Sequence, residues 1–450
     1  MRNLGKQMKK KLLAAACLIL IFSLLTGCTT FNNFKNAFFG TDSTETVATD
    51  RTIKIGVFEP LSGENREQGN LELMGIQLAN ELYPEVLGKQ VELIIADNQS
   101  DIYVAETVAQ ELVSQNPQVV LGSYGETLTL IAGEAVKANN IPGIAITSTN
   151  PLITVNNQYY FCATYAESKQ GDALADFVYT QQGKTKAATV KLTGDDTVTA
   201  NINKFKRMME KLSGDSECIV GSFELPTESS DYSEVIESLK TSGAEAVFLD
   251  VSTTVAQTFL QQAEEAGLTD ILFVGPKSWN DENFLSFIES SGAFDIGYAA
   301  DFSSVTTSTE MSEKFITAYK ERYGEDAEPA QETAVAFDAY LMAISAIEDA
   351  YNDTMSYDEE EYAATAATEA EGRALREDWQ QTQKTGIPTG KAIRDAIKRI
   401  EGFEGASGII SYGGTNEAVK SIEVVYYSKG ALNDSFAVEA ETLAELEEQN

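Results

Sequence analysis

From Arg51 to Pro151, short β-rich runs alternate with stretches of helical periodicity, and this alternation limits the folds that the chain can adopt. TIKIGVF is followed by MGIQLANELY, VELIIAD by VAETVAQELVSQ, and QVVLGS by TLTLIAGEAVKANN. Such a pattern is typical of parallel strands joined by crossover helices. This region therefore predicts a doubly wound α/β unit.

The same rhythm begins again after Pro151. The segments AATVKL, CIVGSF, AEAVFLD and DILFVG predict strands, and helical patterns occupy residues around 199–212, 233–241 and 254–266. Two successive units of this kind predict an α/β fold with two Rossmann-like lobes, each a parallel sheet flanked by helices.

The rest of the chain predicts two long helices, at 309–323 and 331–351, and one late strand, SIEVVYYS at 421–428. Too few strands remain for an independent third sheet, so we expect these elements to be added to the existing sheets. The chain must then pass between the lobes more than once. Residues 352–384 are acidic and alanine-rich, which predicts an exposed helix or a mobile excursion, with a partner-binding segment as the alternative.

The amino terminus has a basic start at residues 2–11 and then an apolar run at 12–25. This pattern indicates a secretory signal, and the run is too short for a comfortable membrane span. The tetrapeptide LTGC, which ends at Cys28, resembles the bacterial lipobox, whose cysteine thiolate is alkylated by a diacylglyceryl donor. We therefore expect a signal peptide at 1–27, a lipid on Cys28 and a flexible leash at 28–50. The alternative is an ordinary signal or anchor with a chance cysteine.

The chain of 450 residues has 69 acidic and 33 basic side chains and no histidine. A net charge of −36 would repel phosphate backbones, which argues against nucleic acid as a partner. The lack of histidine removes the commonest general base and the main transition-metal ligand. Neither a GxxxxGK[ST] phosphate loop nor a GxSxG nucleophile elbow occurs in the sequence. The sequence therefore predicts a protein that is not an enzyme and uses no metal or cofactor.

Cys162 and Cys218 lie in the strand-like stretches YYFCATY and SECIVGSF. Export would permit a disulfide between them, but buried free thiols are common in such apolar surroundings. The sequence leaves open whether the two cysteines form a disulfide or stay as free thiols.

Polar loops follow the predicted strands at the edge where a ligand is expected. In open parallel sheets, ligands bind beyond the carboxyl ends of the strands. The loops contain glycines, which let backbone N–H groups approach a ligand, and hydroxyls, which can hold an anionic group. A hydroxyl before a helix, such as Thr127, can also be a simple N-cap, so the signal is their joint placement. The loops are 59–70, 122–127, 147–151, 165–170, 193–197, 250–254 and 275–280.

In their order and spacing, several segments together resemble the type I periplasmic binding proteins, in particular the leucine/isoleucine/valine-binding branch that serves ABC importers. They are IKIGVFEPLSGENREQGNLELMGIQLANE, VVLGSYGETLT, IPGIAITSTNPLIT, LQQAEEAGL, FVGPKSWN and ETAVAFDAYLMAISAIEDA. The resemblance implies two lobes joined by a three-crossover hinge that closes on a ligand. With it we expect the first lobe at 51–163 and 298–408, including the acidic stretch, and the second at 164–297 and 409–450.

The resemblance also implies how a ligand is held. In that family a Ser/Thr segment holds an amino acid's carboxylate, while a carbonyl of that segment and an acid from the second lobe hold its ammonium. Thr147 and Thr149 match the segment, and Gln68 falls where the family often has an aromatic residue. Two positions depart from the pattern, because Glu126 replaces an expected serine and Lys277 replaces the expected acid.

Three interpretations of Glu126 and Lys277 stay open. A ligand could bind in reverse, with its anionic group on Lys277 and its cationic group on Glu126. The two side chains could instead pair with each other across the closing cleft, or each could be solvated on its loop. Asp250 could replace the lost acid or cap the next helix. The other candidate binding residues are Ser62, Thr127 and Tyr165.

The many polar groups at this site predict a small polar or charged solute, such as an amino acid, rather than a leucine-like side chain. The sequence thus predicts an extracytoplasmic, lipid-anchored substrate-binding lipoprotein that delivers its solute to an ABC permease in the bacterial membrane. A membrane-tethered sensing module that presents its ligand to a receptor is the alternative.

Overall fold

The computed structural model describes residues 52–305 and 309–439. The predicted signal peptide at 1–27, the lipid attachment at Cys28 and the leash at 28–50 lie outside the described residues. Within the described ranges, no helix is long and apolar enough to cross a bilayer.

The first part of the chain alternates strands with helices. In chain order its elements are β1 (Thr52–Glu59), α1 (Arg66–Leu82), β2 (Glu85–Val86), β3 (Lys89–Asp97), α2 (Ile102–Ser114), β4 (Val119–Leu121), α3 (Glu126–Ala138), β5 (Gly143–Ala145) and β6 (Tyr160–Cys162). The strands form a six-stranded sheet in the order β2-β3-β1-β4-β5-β6. All neighbours pair in parallel except β2, which is antiparallel to β3.

After β6 the chain builds a second alternating unit. Its elements are α4 (Lys169–Asp176), β7 (Ala187–Leu192), α5 (Thr199–Ser213), β8 (Ile219–Leu225), α6 (Ser233–Ser242), β9 (Ala246–Leu249), α7 (Thr253–Glu265), β10 (Leu272–Gly275), α8 (Glu282–Ser291) and β11 (Asp295–Ala300). These strands pair in parallel with one another.

The last part of the chain contributes to both units. Its elements are α9 (Glu310–Tyr323), α10 (Gln331–Met355), α11 (Glu359–Ala364), α12 (Glu369–Thr385), α13 (Gly390–Lys398), β12 (Phe403–Gly405), β13 (Gly408–Ser411), β14 (Val419–Lys420), β15 (Ile422–Ser428) and β16 (Ala431–Val438). β15 and β16 are antiparallel additions to the second sheet. That sheet has seven strands in the order β16-β15-β11-β10-β9-β7-β8.

The expectation that the chain has no third sheet was wrong. β12, β13 and β14 form a small antiparallel sheet of their own. Ala406, Ile410 and Tyr412 from this segment are buried in the core of the first unit. The three short strands therefore cover that core. They pair only with one another and belong to neither of the larger sheets.

Helices cover both faces of the first sheet. Ile53, Ile55 and Val57 of β1 pack into one cluster with α1 and α10, whereas Phe58 packs on the opposite face with α2 and α3. This alternation follows from the two-residue period of a strand. α10 is buried along most of its 25 residues, because its run AVAFDAYLMAISAI is apolar on several sides.

The acidic stretch at 352–384 completes α10 and then forms α11 and α12. Asp358 caps α11 by accepting a hydrogen bond from the Glu361 N–H at 2.9 Å, and the Glu361 side chain returns to the Asp358 N–H. The Trp379 indole donates to the Tyr357 carbonyl oxygen at 3.0 Å. Capping and this contact hold the acidic stretch as a helical pair.

The chain crosses between the two large sheets three times within the described ranges, after β6, after β11 and between β14 and β15. β11 belongs to the second sheet as far as Ala300, and β12 to β14 still pack on the first core. We therefore propose lobe bounds of 52–163 with 301–421 and 164–300 with 422–439, which move the predicted second crossing by three residues and the predicted third crossing by thirteen.

Cys162 and Cys218 are free and buried. Cys162 ends β6 of the first sheet, whereas Cys218 directly precedes β8 of the second sheet. The disulfide that the sequence left open is therefore not formed in the structure.

Close contact between α1 and α10 depends on Gly75. A Cβ at this position would lie 2.1 Å from the Thr333 carbonyl oxygen and 3.0 Å from the Ala336 Cβ. We expect Gly75→Ala to lower the free energy of unfolding by about 1–3 kcal/mol in urea denaturation, because the helices must move apart. Gly372→Ala is the control, since a Cβ there meets nothing closer than 3.3 Å in α12 and should change stability by less than about 1 kcal/mol. Equal losses in both variants would contradict this explanation.

Candidate functional site

The three chain crossings meet at the carboxylate of Asp301, which is 0% exposed and follows β11 on the second crossing. Thr164, on the first crossing, donates its hydroxyl to Asp301 Oδ1 at 2.6 Å. Lys420, which ends β14 just before the third crossing, places its Nζ 3.5 Å from the same oxygen. One buried carboxylate thus links all three connections between the lobes.

Lys277 reaches the same carboxylate from the loop after β10. Its Nζ donates to Asp301 Oδ2 at 2.9 Å, to the Thr147 carbonyl oxygen at 3.2 Å and to the Thr164 hydroxyl at 3.3 Å. Its backbone N–H donates to Gln170 Oε1 at 2.7 Å. Because Thr147 follows β5, Lys277 joins the strand ends of the two sheets directly. We call Thr147, Thr164, Lys277, Asp301 and Lys420 the hinge junction.

Asp301 forms ion pairs with both lysines of the hinge junction. Burial alone would raise the pKa of Asp301, but the ammonium groups of Lys277 and Lys420 hold that pKa below its ordinary value. The ring of Tyr165 lies 5.4 Å from Lys277 Nζ, which is a cation–π distance. Burial raises the pKa of the Tyr165 hydroxyl, so this group stays neutral. The junction therefore places two ammonium groups around one desolvated carboxylate.

A buried pair of acidic residues, Glu59 and Glu72, adjoins Thr147. Glu59 ends β1 and accepts a hydrogen bond from the Tyr124 N–H at 2.9 Å, and Glu72 in α1 accepts one from the Thr147 hydroxyl. Glu59 Oε1 and Glu72 Oε2 are both buried without a hydrogen-bond partner in the structure. Burial, reinforced by the charge of Glu72, raises the pKa of Glu59 well above its ordinary range, and burial raises the pKa of Glu72 to about 7. At neutral pH the pair therefore holds at least one proton.

A cavity of about 740 Å³ opens between the two sheets and their helices. One side is formed by the first turns of α1 and α10, including Gln68 and Glu332. The other side is formed by α8 and by β11 and β15, including Tyr298 and Tyr427. Residues 302–305 of the second crossing form a further wall. The volume suits a small solute, which would touch both lobes. We call this space the interlobe cavity.

Four of the predicted site residues lie at these two features. Thr147, Tyr165 and Lys277 meet at the hinge junction. Gln68 lines the interlobe cavity. The strand-end loops of the two units thus converge, as parallel sheets require.

Ser62 and Asp250 lie elsewhere and are bonded within the protein. The Ser62 hydroxyl donates to Asp97 Oδ2 at 2.7 Å, which stabilises the loop after β1. Asp250 is buried and accepts a hydrogen bond from Asn201 Nδ2 at 2.8 Å. Burial raises the pKa of Asp250 to about 7, and the nearby acids add to this effect. Asp250 does not cap α7, whose N-cap residue is Ser252.

Glu126 and Thr127 are exposed in the first turn of α3, where Glu126 accepts a hydrogen bond from Asn150 Nδ2 at 3.1 Å. Thr149 is half-buried and lines a small cavity of about 10 Å³. The ion pair that Lys277 forms is with Asp301 and not with Glu126. Of the three interpretations of this pair, the direct contact between the two side chains is therefore not seen in the structure, and Lys277 is not simply solvated.

Sequence reasoning missed Asp301, Glu72 and Glu332. Asp301 directly follows β11, so the strand-end argument that selected Lys277 would also have selected it. Glu72 and Glu332 lie in helices, where acidic residues normally face solvent, and nothing in their local sequence marks them as turned inward.

The residues that the structure describes include no group of three or more acidic or cysteine side chains placed to hold a metal ion. The site offers fixed charges, hydrogen bonds and aromatic rings. Two α/β lobes, three crossings and a cavity between the lobes define a two-lobed binding protein.

The chain belongs to the family described as periplasmic binding protein, whose model matches residues 52–431. This family and its structural neighbours are solute-binding proteins, which confirms the prediction that the chain is a binding protein and not an enzyme.

Among its relatives, a leucine-, isoleucine-, valine-, threonine- and alanine-binding protein of Pseudomonas aeruginosa is 26% identical over 231 residues, which is 50% of this chain. The chain spans only 60% of the length of that relative. A leucine-binding protein from Thermotoga maritima superposes with a TM-score of 0.62 at 22% identity, covering 86% of this chain and 99% of that structure.

A solute-binding protein of an ABC transporter from Rhodopseudomonas palustris, in complex with 3,4-dihydroxybenzoic acid, gives a TM-score of 0.61 at 19% identity. The superposition covers 87% of this chain and 98% of that structure. These likenesses confirm the predicted fold class and the resemblance to the leucine/isoleucine/valine-binding branch.

Proposed function

We propose that the chain is the extracytoplasmic substrate-binding lipoprotein of an ABC-type importer. It captures a small polar solute, an amino acid or a related compound, between its two lobes and passes it to permease subunits in the membrane. The observation that carries this proposal is the interlobe cavity, because its walls come from both lobes. A ligand that contacts both lobes stabilises the closed arrangement over the open one.

The sequence supports the location and the anchor. The basic and apolar start, followed by LTGC, is the pattern of an exported chain that is lipidated on Cys28. The polar leash at 28–50 would then let the binding lobes stand away from the bilayer. Mass spectrometry of the protein from the membrane and cytosolic fractions of bacterial cells tests this part. An unmodified Cys28 in a cytosolic product would contradict it.

The binding role is tested by a thermal-shift screen of the full-length protein against amino acids, short peptides and organic acids. We expect at least one solute to raise the melting temperature, since a ligand that binds only the folded state stabilises it by mass action. Small-angle X-ray scattering with that solute should show a smaller radius of gyration, because the lobes close. No stabilising solute and no change in scattering would contradict the proposal.

Lys277→Ala should weaken binding of the solute found in this screen. For Lys277 we expect a loss of roughly tenfold, because its hydrogen bond to the Thr147 carbonyl oxygen helps to hold the lobes together. Isothermal titration calorimetry measures the effect. Lys240→Ala is the matched control, since this lysine forms only an exposed pair with Glu237. Wild-type affinity in Lys277→Ala would show that Lys277 does not contribute to binding.

A further inference from the structure

Building on the proposed function, we propose that the solute is an organic cation with an apolar stem, held in the interlobe cavity. Such a ligand carries an ammonium group on a hydrocarbon or aromatic body. The charge, the partial burial and the aromatic surface of the cavity walls each support this class.

Among the residues that the structure describes, all charged side chains that line the interlobe cavity are acidic, and neither lysine nor arginine lines it. Glu328 forms an ion pair with Lys320 at 2.7 Å, and Asp281 caps α8. A cavity with walls of one charge sign focuses a potential that attracts the opposite sign. The acidic lining residues are Glu67, Asp281, Glu282, Glu289, Glu328 and Glu332.

Glu332 is the lining carboxylate with the most to gain from a cation. It is half-buried in the first turn of α10, and its side chain accepts a long hydrogen bond of 3.5 Å from the Gln331 amide. Burial raises the pKa of Glu332, which shows that its charged form is poorly solvated. A ligand ammonium would supply the missing counter-charge and hydrogen-bond donors.

Tyr298 and Tyr427 contribute aromatic atoms to the wall of the same cavity, where they are 3% and 5% exposed. Their ring centroids are 6.4 Å apart, and the ring planes differ by 27°. Leu71, Phe302 and Val425 extend this apolar surface. Aromatic rings attract cations and also bury hydrocarbon, so this wall suits a ligand that carries an ammonium group on a hydrocarbon stem.

The charge of Lys277 acts on Glu332 and opposes the rise of its pKa, but burial outweighs this effect. Lys277 is committed to Asp301 at 2.9 Å and does not line the cavity. An anionic solute in this space would therefore face the six carboxylates without a basic partner among the lining residues. The position of the charges thus favours a cation over the carboxylic acids that some structural neighbours hold.

The test uses the full-length protein and three probes that share a phenylethyl stem and differ in the charge of the end group. They are 2-phenylethylamine, 2-phenylethanol and 3-phenylpropionate. Isothermal titration calorimetry at low salt should show that the amine binds at least about tenfold more tightly than either of the others. The affinity for the amine should fall as the salt concentration rises, because the cavity potential is screened.

Two carboxylate variants complete the test. Glu332→Gln should weaken binding of 2-phenylethylamine by roughly tenfold or more, because the ammonium loses its partly buried partner. Glu377→Gln is the matched control, since Glu377 is exposed in α12 and does not line the cavity, and it should leave the affinity within about twofold.

The outcomes separate this inference from the proposed function. Tighter binding of 3-phenylpropionate, or an unchanged affinity for the amine in Glu332→Gln, would overturn the cationic class. If the amine does not bind but an acid or an amino acid from the screen closes the lobes, the proposed function stands and this inference fails. If no solute of any charge binds, both fail.

Discussion

Replacing Asp301 by asparagine should lower the free energy of unfolding by roughly 3–5 kcal/mol. The side chain is 0% exposed and faces the ammonium groups of Lys277 and Lys420. Asparagine keeps the shape of aspartate but not its charge, so both lysines would lose the buried carboxylate that they share. Urea denaturation followed by circular dichroism measures this loss.

A second substitution separates charge from shape. Adding Lys420→Met to Asp301→Asn removes the ammonium whose side chain is 0% exposed, and it should restore part of the stability, with a coupling energy of about 1–3 kcal/mol. Glu237→Gln serves as the control, because its pair with Lys240 is exposed and should be worth less than about 1 kcal/mol. A loss below about 1 kcal/mol for Asp301→Asn would mean that charge does not hold the hinge junction.

The hinge junction also connects stability with the proposed function. Thr164, Asp301 and Lys420 each lie on or next to a different crossing, and Lys277 extends the network to Thr147 at the strand ends. Lobe closure must change the backbone angles of the crossings. A network that ties all three crossings together should therefore make them move as a unit rather than one at a time.

The two-lobed fold could be predicted from the sequence because its signals are local. The alternation of β-rich and helical segments such as TIKIGVF and MGIQLANELY is readable within a few residues. The small sheet of β12 to β14 could not be predicted in the same way. Its strands have two to four residues each, which is too short for a period to appear, and only their packing on the first core identifies them.

The convergence of some candidate residues was predictable from the sequence, but their hydrogen-bond partners were not. Thr147, Tyr165 and Lys277 were selected because they follow strands, and the structure brings them together. The partner of Lys277 could not be predicted, since Asp301 is 24 residues away along the chain and Glu126 was an equally plausible acid. Asp250 shows the opposite case. It follows a strand, yet its carboxylate is buried against Asn201.

The stability of the protein should fall as the pH rises from about 4.5 to about 7. Burial raises the pKa of Glu72 from 4.5 in an unfolded chain to about 7 in the folded protein. Between these values the folded state holds a proton that the unfolded state has released, so raising the pH favours unfolding. The shift corresponds to roughly 3 kcal/mol, which is fully present below about pH 4.5 and is lost as the pH passes about 7.

Glu72→Gln identifies the contribution of this carboxyl group. Glutamine stays neutral at every pH and can still accept the hydrogen bond of the Thr147 hydroxyl, so the variant should lose much of the slope and be more stable than the wild type above about pH 7. Urea denaturation at several pH values between about 4.5 and 8 measures both effects. Glu134→Gln is the control, because the Glu134 side chain is 77% exposed and should leave the slope unchanged. Since Asp250 and Asp338 also have raised pKa values, of about 7 and about 6, the decisive quantity is the difference between variant and wild type. Parallel pH profiles for Glu72→Gln and the wild type would mean that Glu72 is already ionised in the folded protein at low pH.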